Sequence, residues 1–490
     1  MESNTTFRLP PRALAGNLVA VSKWNARSEV PDVVAYADLR YFAEEVAEQW
    51  AAQVEPDPIG QFAYPKRGGG IRQISILSVR DIVRLRTAVG DIARVTNEIV
   101  LPTVYSAKLR AQPPTWYFKN NLYAAFQQAA LRLCRYWESD GMVRTDVQAY
   151  YPSIQIEDLF RALWNVGCDR EAVRLVVQVL MRWQDRDHLS GIPIGQEACA
   201  VLGAFYLRDF DRAIAPLTTG FFRYSDDVIY FFKEDVLGDG GLSLVKGHLQ
   251  DARLAMNEHK TRVFYDPAEA AEAIRRSLLD YVEDQFQDGG EGDQSVIQEL
   301  FDEEIATNPH PDPVTYAWCL NRLMRGRPAN EHALATILNR PELMSLDPRI
   351  TSEYLTKCAC GNSDAISAMA ARLPLIKGEP GAALHTLRYL AASGVNQAQA
   401  DAILGIAVDP SVLSPVRAWA MEAHAGSPRF NLGDLADCVD ADTPELVRRG
   451  AVLALRRRPG HRGRRFVARQ LASRFPDTRW SAMWAAEIAA

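Results

Sequence analysis

Apolar positions follow two rhythms along this chain. From Asp32 to Val54 the residues Val34, Leu39, Phe42, Val46 and Trp50 recur at helical spacing, and Pro56 and Pro58 end the pattern. The period then changes. Phe62 to Lys66 and Ile71 to Leu77 read as strands, with Gly68, Gly69 and Gly70 as the turn between them. Val83, Leu85, Val89, Ile92 and Val95 restore a helical repeat over 79–100. Residues 143–154 predict a strand running into a turn, and 156–182 predict a helix. GIPIG, 191–195, is a loop opening a helix that runs to about Ile214. FFRYSDDVIYFF, 221–232, is two apolar strands around a polar tip. A helix is predicted over 242–256, then a turn and a strand in NEHKTRVFY. The mixture of helices and antiparallel strands ends near Asp266.

Beyond it no strand pattern remains, only amphipathic helices. DQFQDGGEGDQ, 284–294, is acidic and Gly-rich and reads as a flexible linker. The expected organisation is a helical extension over 1–60, a mixed domain over 61–270, a linker over 271–305 and a helical domain over 306–490. The helical part contains a repeat. Arg417, Ala420 and Ala423 recur as Arg448, Ala451 and Ala454, and again as Arg479, Ala482 and Ala485. A proline stands shortly before each arginine, at Pro415, Pro444 and Pro476. Proline suits a helix's first turn, and alanines three apart let neighbouring helices approach. A unit of this length with two helices indicates an α-solenoid. An irregular helical bundle is the other reading, and three copies in register favour the solenoid.

At 490 residues the chain has room for two to four domains and a large core. Net charge is −6, so bulk charge points to neither nucleic acid nor a membrane surface, and any such site must be local. The 7 cysteines are irregularly spaced, and Cys358 and Cys360 lack the partner pair of a zinc site, so reduced thiols in a cytoplasmic setting are expected. The first residues lack the apolar core of a signal peptide, and no apolar run is long enough to span a membrane.

The chemistry concentrates at Tyr224, Ser225, Asp226 and Asp227. Two adjacent carboxylates between apolar strands repel, and a divalent cation removes the conflict. A plain hairpin turn also favours Asp. Asp146, at the end of another predicted strand, changes the balance. Its strand, paired beside the 221–232 hairpin, would bring Asp146 against Asp226 and Asp227. Three carboxylates then hold two hard cations about 3.5–4 Å apart, the requirement for in-line nucleotidyl transfer. Alternatively, Asp146 caps a strand end.

With these residues the sequence resembles a reverse transcriptase. Asp146 followed by Tyr150 and Tyr151 resembles the first palm motif, GIPIGQEACAVLGAFYLRDFD (191–211) the second, YSDD the Y-x-D-D box, and LAMNEHKTRVF (254–264) the fourth. YPKRGGGIRQISI resembles the fingers hairpin. The resemblance covers about residues 60–265. It implies an α+β fold of fingers and palm. It also implies that Asp146, Asp226 and Asp227 bind two Mg²⁺ ions and that Tyr151 lies under the sugar of an incoming dNTP, excluding a 2′-OH. Lys66 and Arg72 would reach the triphosphate, a point charge and a planar fork respectively. Gly195 would allow close backbone approach to the nucleotide or template. Lys260 would be a general acid for pyrophosphate departure or a phosphate contact. Read without the resemblance, Lys66 and Arg72 are hairpin charges, Tyr151 a core aromatic, Gly195 a helix-opening glycine and Lys260 a surface lysine.

The sequence also departs from the family. Ile194 stands where the second motif has a Gln that contacts the nucleotide sugar, and Cys199 replaces a small Ser. No primer grip or thumb pattern follows Phe264, and there is no endonuclease, ribonuclease H or integrase signature. Palm and fingers joined directly to HEAT-like helices resemble the bacterial unknown-group reverse transcriptases of antiphage defence, including the abortive-infection (Abi) type. That resemblance implies DNA synthesis begun on a protein tyrosine, without a template or copying a partner noncoding RNA, and homo-oligomers. The run RRGAVLALRRRPGHRGRRFVAR holds Arg448, Arg449, Arg456, Arg457, Arg458, Arg462, Arg464, Arg465 and Arg469 without an acid, a candidate nucleic-acid track. Helix capping or pairing with neighbouring acids is the other reading of these arginines. Arg80, Arg84, Arg86, Lys108 and Arg110 would extend a basic channel from the fingers. Against metal-dependent DNA synthesis stand two alternatives, a catalytically lapsed nucleic-acid-binding scaffold and an RNA-dependent RNA polymerase. The intact carboxylate set argues against the first, and the aromatic Tyr151 against the second.

Overall fold

The computed structural model describes residues 11–24, 43–51, 55–65, 71–112, 115–118, 122–274, 294–324, 331–340, 342–376, 378–428, 430–431, 439, 443–455, 467–469 and 474. The chain divides into two compact units. One comprises Met1–Val21, Ala43–Gln61 and Ile74–Tyr281, and the other Ser22–Phe42, Phe62–Gln73 and Val282–Ala490.

The first unit is built on an antiparallel sheet. β1 (Gly60–Pro65) and β2 (Ile71–Ile76) pair as a two-stranded sheet, of which Phe62–Gln73 is grouped with the second unit, and the long helix Val79–Ile99 follows. Ser78 caps that helix by accepting from the Asp81 backbone N–H. β3 (Leu109–Gln112) and β4 (Thr115–Phe118) form a second hairpin, absent from the sequence expectation. The central sheet runs β6 (Gly220–Tyr224), β7 (Asp227–Phe232), β5 (Gly141–Gln148), β8 (Ala255–Met256), with β9 (Arg262–Phe264) also pairing β5. Met142, Phe222, Ile229 and Phe231 join Phe126, Ala130 and Cys134 of the helix Leu122–Arg135 and Ala270 and Ile274 of the helix Pro267–Ile274 in one core. Val143, Phe221, Val228 and Tyr230 are buried as well. Burial on both faces explains why these strands read as unbroken apolar runs rather than alternating ones.

Three predicted helices are shorter or divided. The 156–182 span is two helices, Ile156–Asn165 and Arg170–Asp187. Gly167, at φ +79°, makes the break, and the Asp169 side chain caps the second helix by accepting from the Ala172 N–H at 2.8 Å. The helix opened by GIPIG divides into Glu197–Tyr206 and Arg208–Ile214. The 242–256 helix stops at Asp251, and Arg253, at φ +56°, turns the chain into β8.

From Gln294 onward the second unit is helical among the described residues. Part of the expected 271–305 linker is ordered. The helix Gln294–Phe301 and a π-helical turn at Asp302–Ala306 bury Ile297, Leu300, Phe301 and Ile305. The spacing of these four apolar side chains outweighs the acidic composition of the stretch. Farther on, the helices Pro348–Cys358, Pro380–Ser393, Ser414–Ala425 and Glu445–Ala454 each pack against the next of the set. Ser363–Arg372 and Gln397–Val408 alternate with them. Pro348, Pro380 and Pro415 occupy first turns. Ala420, Ala423, Ala451 and Ala454 are fully buried. The repeat-equivalent Arg417 and Arg448 donate to backbone carbonyls, Arg417 to Ala407 and Arg448 to Thr443. The third copy, at Arg479, lies outside the described residues.

Small residues set this helix packing. A Cβ on Gly450 would lie 2.9 Å from the Cβ and 3.1 Å from the Cα of Ala418. Gly450→Leu is therefore expected to destabilise the protein by about 1–3 kcal/mol, the usual penalty of overpacking, read as a lower Tm in calorimetry. An unchanged Tm would show that the two helices can separate at no cost.

Candidate active site

The registers of β5, β6 and β7 bring the three aspartates together. Asp146 on β5 lies directly opposite Asp227 on β7. Tyr224 pairs with Asp227, so Ser225 and Asp226 form a two-residue loop between β6 and β7. The Val147 N–H donates to the Asp226 carbonyl at 3.1 Å and ties that loop to β5. The register places Asp146 beside the strand and loop that carry Asp227 and Asp226.

Burial, and after it the neighbouring charges of Asp146 and Asp227, push the Asp226 carboxyl up to about 6. Asp146 is 7% exposed. Its Oδ2 accepts from Lys260 Nζ at 2.8 Å and from Asn257 Nδ2 at 3.0 Å, and its backbone carbonyl accepts from the Asn257 N–H at 2.8 Å. Thr145 and Thr261 share a hydroxyl hydrogen bond at 2.7 Å, which fixes the Asn257–Lys260 turn beside β5. The Lys260 ammonium is thus the positive charge that this trio faces.

Among the described residues no group of three or more His, Cys, Asp or Glu side chains is placed so as to hold a metal ion. The donor chemistry nevertheless fits a hard divalent cation. All three groups offer oxygen, and their mutual repulsion is what such an ion relieves. The Lys260 side chain is 66% exposed and has room to turn away from Asp146.

Tyr151 stands on the turn that follows β5. Its hydroxyl shares a hydrogen bond with Ser225 Oγ at 3.3 Å. Burial pushes its phenol up to about 12, so at neutral pH it remains a neutral ring and hydroxyl. Gly203, in the Glu197–Tyr206 helix, gives room to both rings: a Cβ there would meet Tyr150 at 3.3 Å and Tyr151 at 3.5 Å. The GIPIG loop rests on the same turn, with the Ile192 N–H donating to the Tyr151 carbonyl at 3.0 Å. A Cβ on Gly191 would fall 2.1 Å from that carbonyl. Gly195, at φ +92°, lies against Ile74 at the end of β2, where a Cβ would come within 2.8 Å of the Ile74 side chain. Ile194, the departure from the P-Q-G pattern, exchanges backbone bonds with Ser75: its carbonyl accepts from the Ser75 N–H at 3.1 Å and its N–H donates to Ser75 Oγ at 3.3 Å. Lys66 and the side chain of Arg72 lie outside the described residues.

Among its described members the expected basic channel is corrected by the structure, while the side chain of Arg110 lies outside the described residues. Arg84 and Arg86 are buried, and they pair with Asp81 and Glu197 respectively. Arg80 pairs with Asp57 at 2.6 Å, and Lys108 donates to the Pro102 carbonyl. Burial pushes Glu197 up to about 7 despite its arginine, and pushes Asp81 up to about 6. These arginines form internal ion pairs rather than a track for phosphates. In the basic run Arg449 is buried at 4% exposure, so it has no face for a phosphate. Arg448 is half-buried and bonded to Thr443. Arg456, Arg457, Arg458, Arg462, Arg464 and Arg465 lie outside the described residues.

Sequence reasoning missed Asn257 and Arg223. Asn257 sits inside the quoted fourth motif. Arg223 is a lone charge in an otherwise apolar strand, and that anomaly is the signal that could have found it.

Residues 64–287 match the family model described as reverse transcriptase (RNA-dependent DNA polymerase). The matched span contains Asp146, Tyr151, Gly195, Asp226, Asp227 and Lys260, together with Lys66 and Arg72. No curated protein matches the chain. The reverse-transcriptase match supports a nucleotidyltransferase acting on nucleic acid. No helix among the described residues is long and apolar enough to cross a membrane.

The raised Asp226 value has a testable sign. Between its ordinary value of 3.8 and about 6, the folded chain holds a proton that the unfolded chain has lost. Stability from this group therefore falls as pH rises through that window, and a bound divalent cation offsets the loss above it. The rise in Tm on adding Mg²⁺ is expected to be larger near pH 7.5 than near pH 5. Asp226→Asn should raise the cation-free Tm near pH 7.5 and abolish most of the Mg²⁺ shift. An undiminished shift in that variant, measured by calorimetry, would remove Asp226 from the ligand set.

Proposed function

We propose that this chain is a divalent-metal-dependent DNA polymerase of the reverse transcriptase type. The observation that carries the reading is the register of Asp146 opposite Asp227 with Asp226 in the adjoining loop. The family match over residues 64–287 supports it. Asp146, Asp226 and Asp227 would hold two Mg²⁺ ions, which neutralise the charge developing on the transferring phosphoryl group. The reacting hydroxyl, a primer 3′-OH or a tyrosine OH at initiation, attacks the α-phosphate of a dNTP, and pyrophosphate leaves. Tyr151 is the steric wall against a 2′-OH, held upright by Ser225 and backed by Gly203. Lys260 meets the triphosphate or donates a proton to departing pyrophosphate. Lys66 and Arg72 hold the triphosphate from the fingers hairpin, and Gly195 lets the backbone approach the nucleotide.

The helical unit is read as a HEAT-like solenoid, supported by its four successively packed helices. A reverse-transcriptase-like region followed by such helices resembles the antiphage, abortive-infection arrangement. From that resemblance come the proposals of a defence role in the cytoplasm, a protein-tyrosine primer, synthesis without a template or on a noncoding RNA, and a homo-oligomer. The arginines at 456–465 remain the proposed nucleic-acid contacts of this unit.

One assay tests the enzymatic reading. The protein is incubated with Mg²⁺ and each labelled dNTP or rNTP, with and without template, and the product is treated with DNase, RNase or protease. Incorporation of dNTP, lost in Asp226→Asn, is expected. Tyr151→Ala should raise relative rNTP use by about tenfold or more. Nucleic-acid binding without incorporation would instead identify a scaffold, and an unchanged dNTP preference in Tyr151→Ala would end the steric account.

A further inference from the structure

Arg223 is fully buried, side chain and all, in a strand whose neighbours are aromatic. A guanidinium at such depth is tolerable only when its charge and donors are matched. It makes four hydrogen bonds. Nε and Nη2 fork onto Asp211 of the Arg208–Ile214 helix at 2.7 and 2.5 Å, Nη2 also donates to the Ala204 carbonyl at 2.8 Å, and Nη1 donates to the Ser225 carbonyl at 3.0 Å. Asp211 is buried too, which pushes its carboxyl up, while the forked guanidinium pulls it down. Arg223 itself is held charged by Asp211 against the effect of burial. Bidentate geometry at these distances keeps the pair ionised at neutral pH.

Two of these contacts are structural in a simple sense. Ala204 belongs to the last turn of the Glu197–Tyr206 helix, where carbonyls lack partners within the helix. Asp211 matches the charge. The bond to Ser225 serves neither purpose. It reaches the loop that carries Asp226 and Asp227. Ser225 has φ +56°, at the loop position where two-residue hairpins favour glycine. An L-residue held there costs about 1–2 kcal/mol and persists only where its surroundings over-determine it. Here the surroundings are the Arg223 bond to the Ser225 carbonyl, the Tyr151 bond to its hydroxyl and the Val147 bond to the next carbonyl. Arg223 is in turn immobile along its backbone: its N–H donates to the Thr103 carbonyl at 3.2 Å and its carbonyl accepts from the Tyr105 N–H at 2.8 Å.

We infer that Arg223, braced by Asp211, is a positioning residue that holds the strained Ser225 peptide and so sets the direction in which Asp226 and Asp227 present their carboxylates. The inference rests on reading those two aspartates as metal ligands. Rotation of the Ser225 peptide would swing the Asp226 Cα–Cβ bond away from Asp146, with no change in the strands on either side. Arg223 touches no reacting atom; it acts through the loop.

Mn²⁺ binding followed by electron paramagnetic resonance tests this without relying on turnover. Arg223→Lys keeps a charge for Asp211 but loses the fork that also reaches Ser225. The double variant Arg223→Met with Asp211→Met replaces the buried pair by apolar groups, an exchange that buried ion pairs often tolerate in stability. The double variant is expected to keep a Tm near that of wild type and Arg223→Lys to lower it while leaving the protein folded, and both are expected to bind Mn²⁺ about tenfold or more weakly. Adding Ser225→Gly to either should restore most of the affinity, because glycine reaches positive φ without the clamp. Affinity equal to wild type in both variants, or a loss that Ser225→Gly does not repair, overturns the inference. If the double variant fails to fold, Arg223→Lys with and without Ser225→Gly decides alone. Wild-type protein that binds no Mn²⁺, or Asp226→Asn that binds it as tightly, removes the metal reading itself and the positioning role with it.

Discussion

Repulsion among three carboxylates is the constraint around which the first unit is arranged. Asp146 and Asp227 sit directly opposite each other in the pairing between β5 and β7, with Asp226 in the adjoining loop. Moving Asp146 away from Asp227 would require breaking the ladder that runs from Gly141 opposite Phe232 to Asp146 opposite Asp227. That ladder is backed by Met142, Ile229 and Phe231 in the core. The free energy of burying these apolar side chains thus holds like charges together. The charges are satisfied by whatever positive group reaches them, here Lys260 and the amide of Asn257 on Asp146. A site already neutral would have little affinity for a divalent cation.

Buried ion pairs surround the site without belonging to its chemistry. Arg223 with Asp211, Arg86 with Glu197 and Arg84 with Asp81 each join different segments, or stabilise one, inside the fold. Their arginines are far from interchangeable with surface cations. A guanidinium in a dry interior donates in fixed directions, so it positions the groups it bonds. This is why the arginines of the Val79–Ile99 helix form no channel for phosphates, and why the one in β6 sits in register with the loop beside the aspartates.

The helical unit solves a different problem. Its helices carry Ala and Gly where they meet, so backbones approach closely, as at Gly450 against Ala418. Proline in the first turn fixes where each of several helices begins. The arginine of the repeat, at 417 and 448, serves backbone carbonyls.

The sequence by itself determined the strands and helices over 71–100 and from 143 to 264, the apolar strands around Asp226 and Asp227, and the placement of Asp146 near a strand end, but not the hairpin of β3 and β4. These are local properties of period and turn chemistry, so they survive without knowledge of the fold. It did not determine the division of 156–182 at Gly167, the order within 294–306, or the fate of the arginines at 84, 86, 223 and 449. A charged side chain reads the same in sequence whether it faces water, a phosphate or a carboxylate 12 residues away, as Arg223 and Asp211 are. Only the tertiary structure brings the partner, because burial and pairing depend on which distant elements close over the side chain.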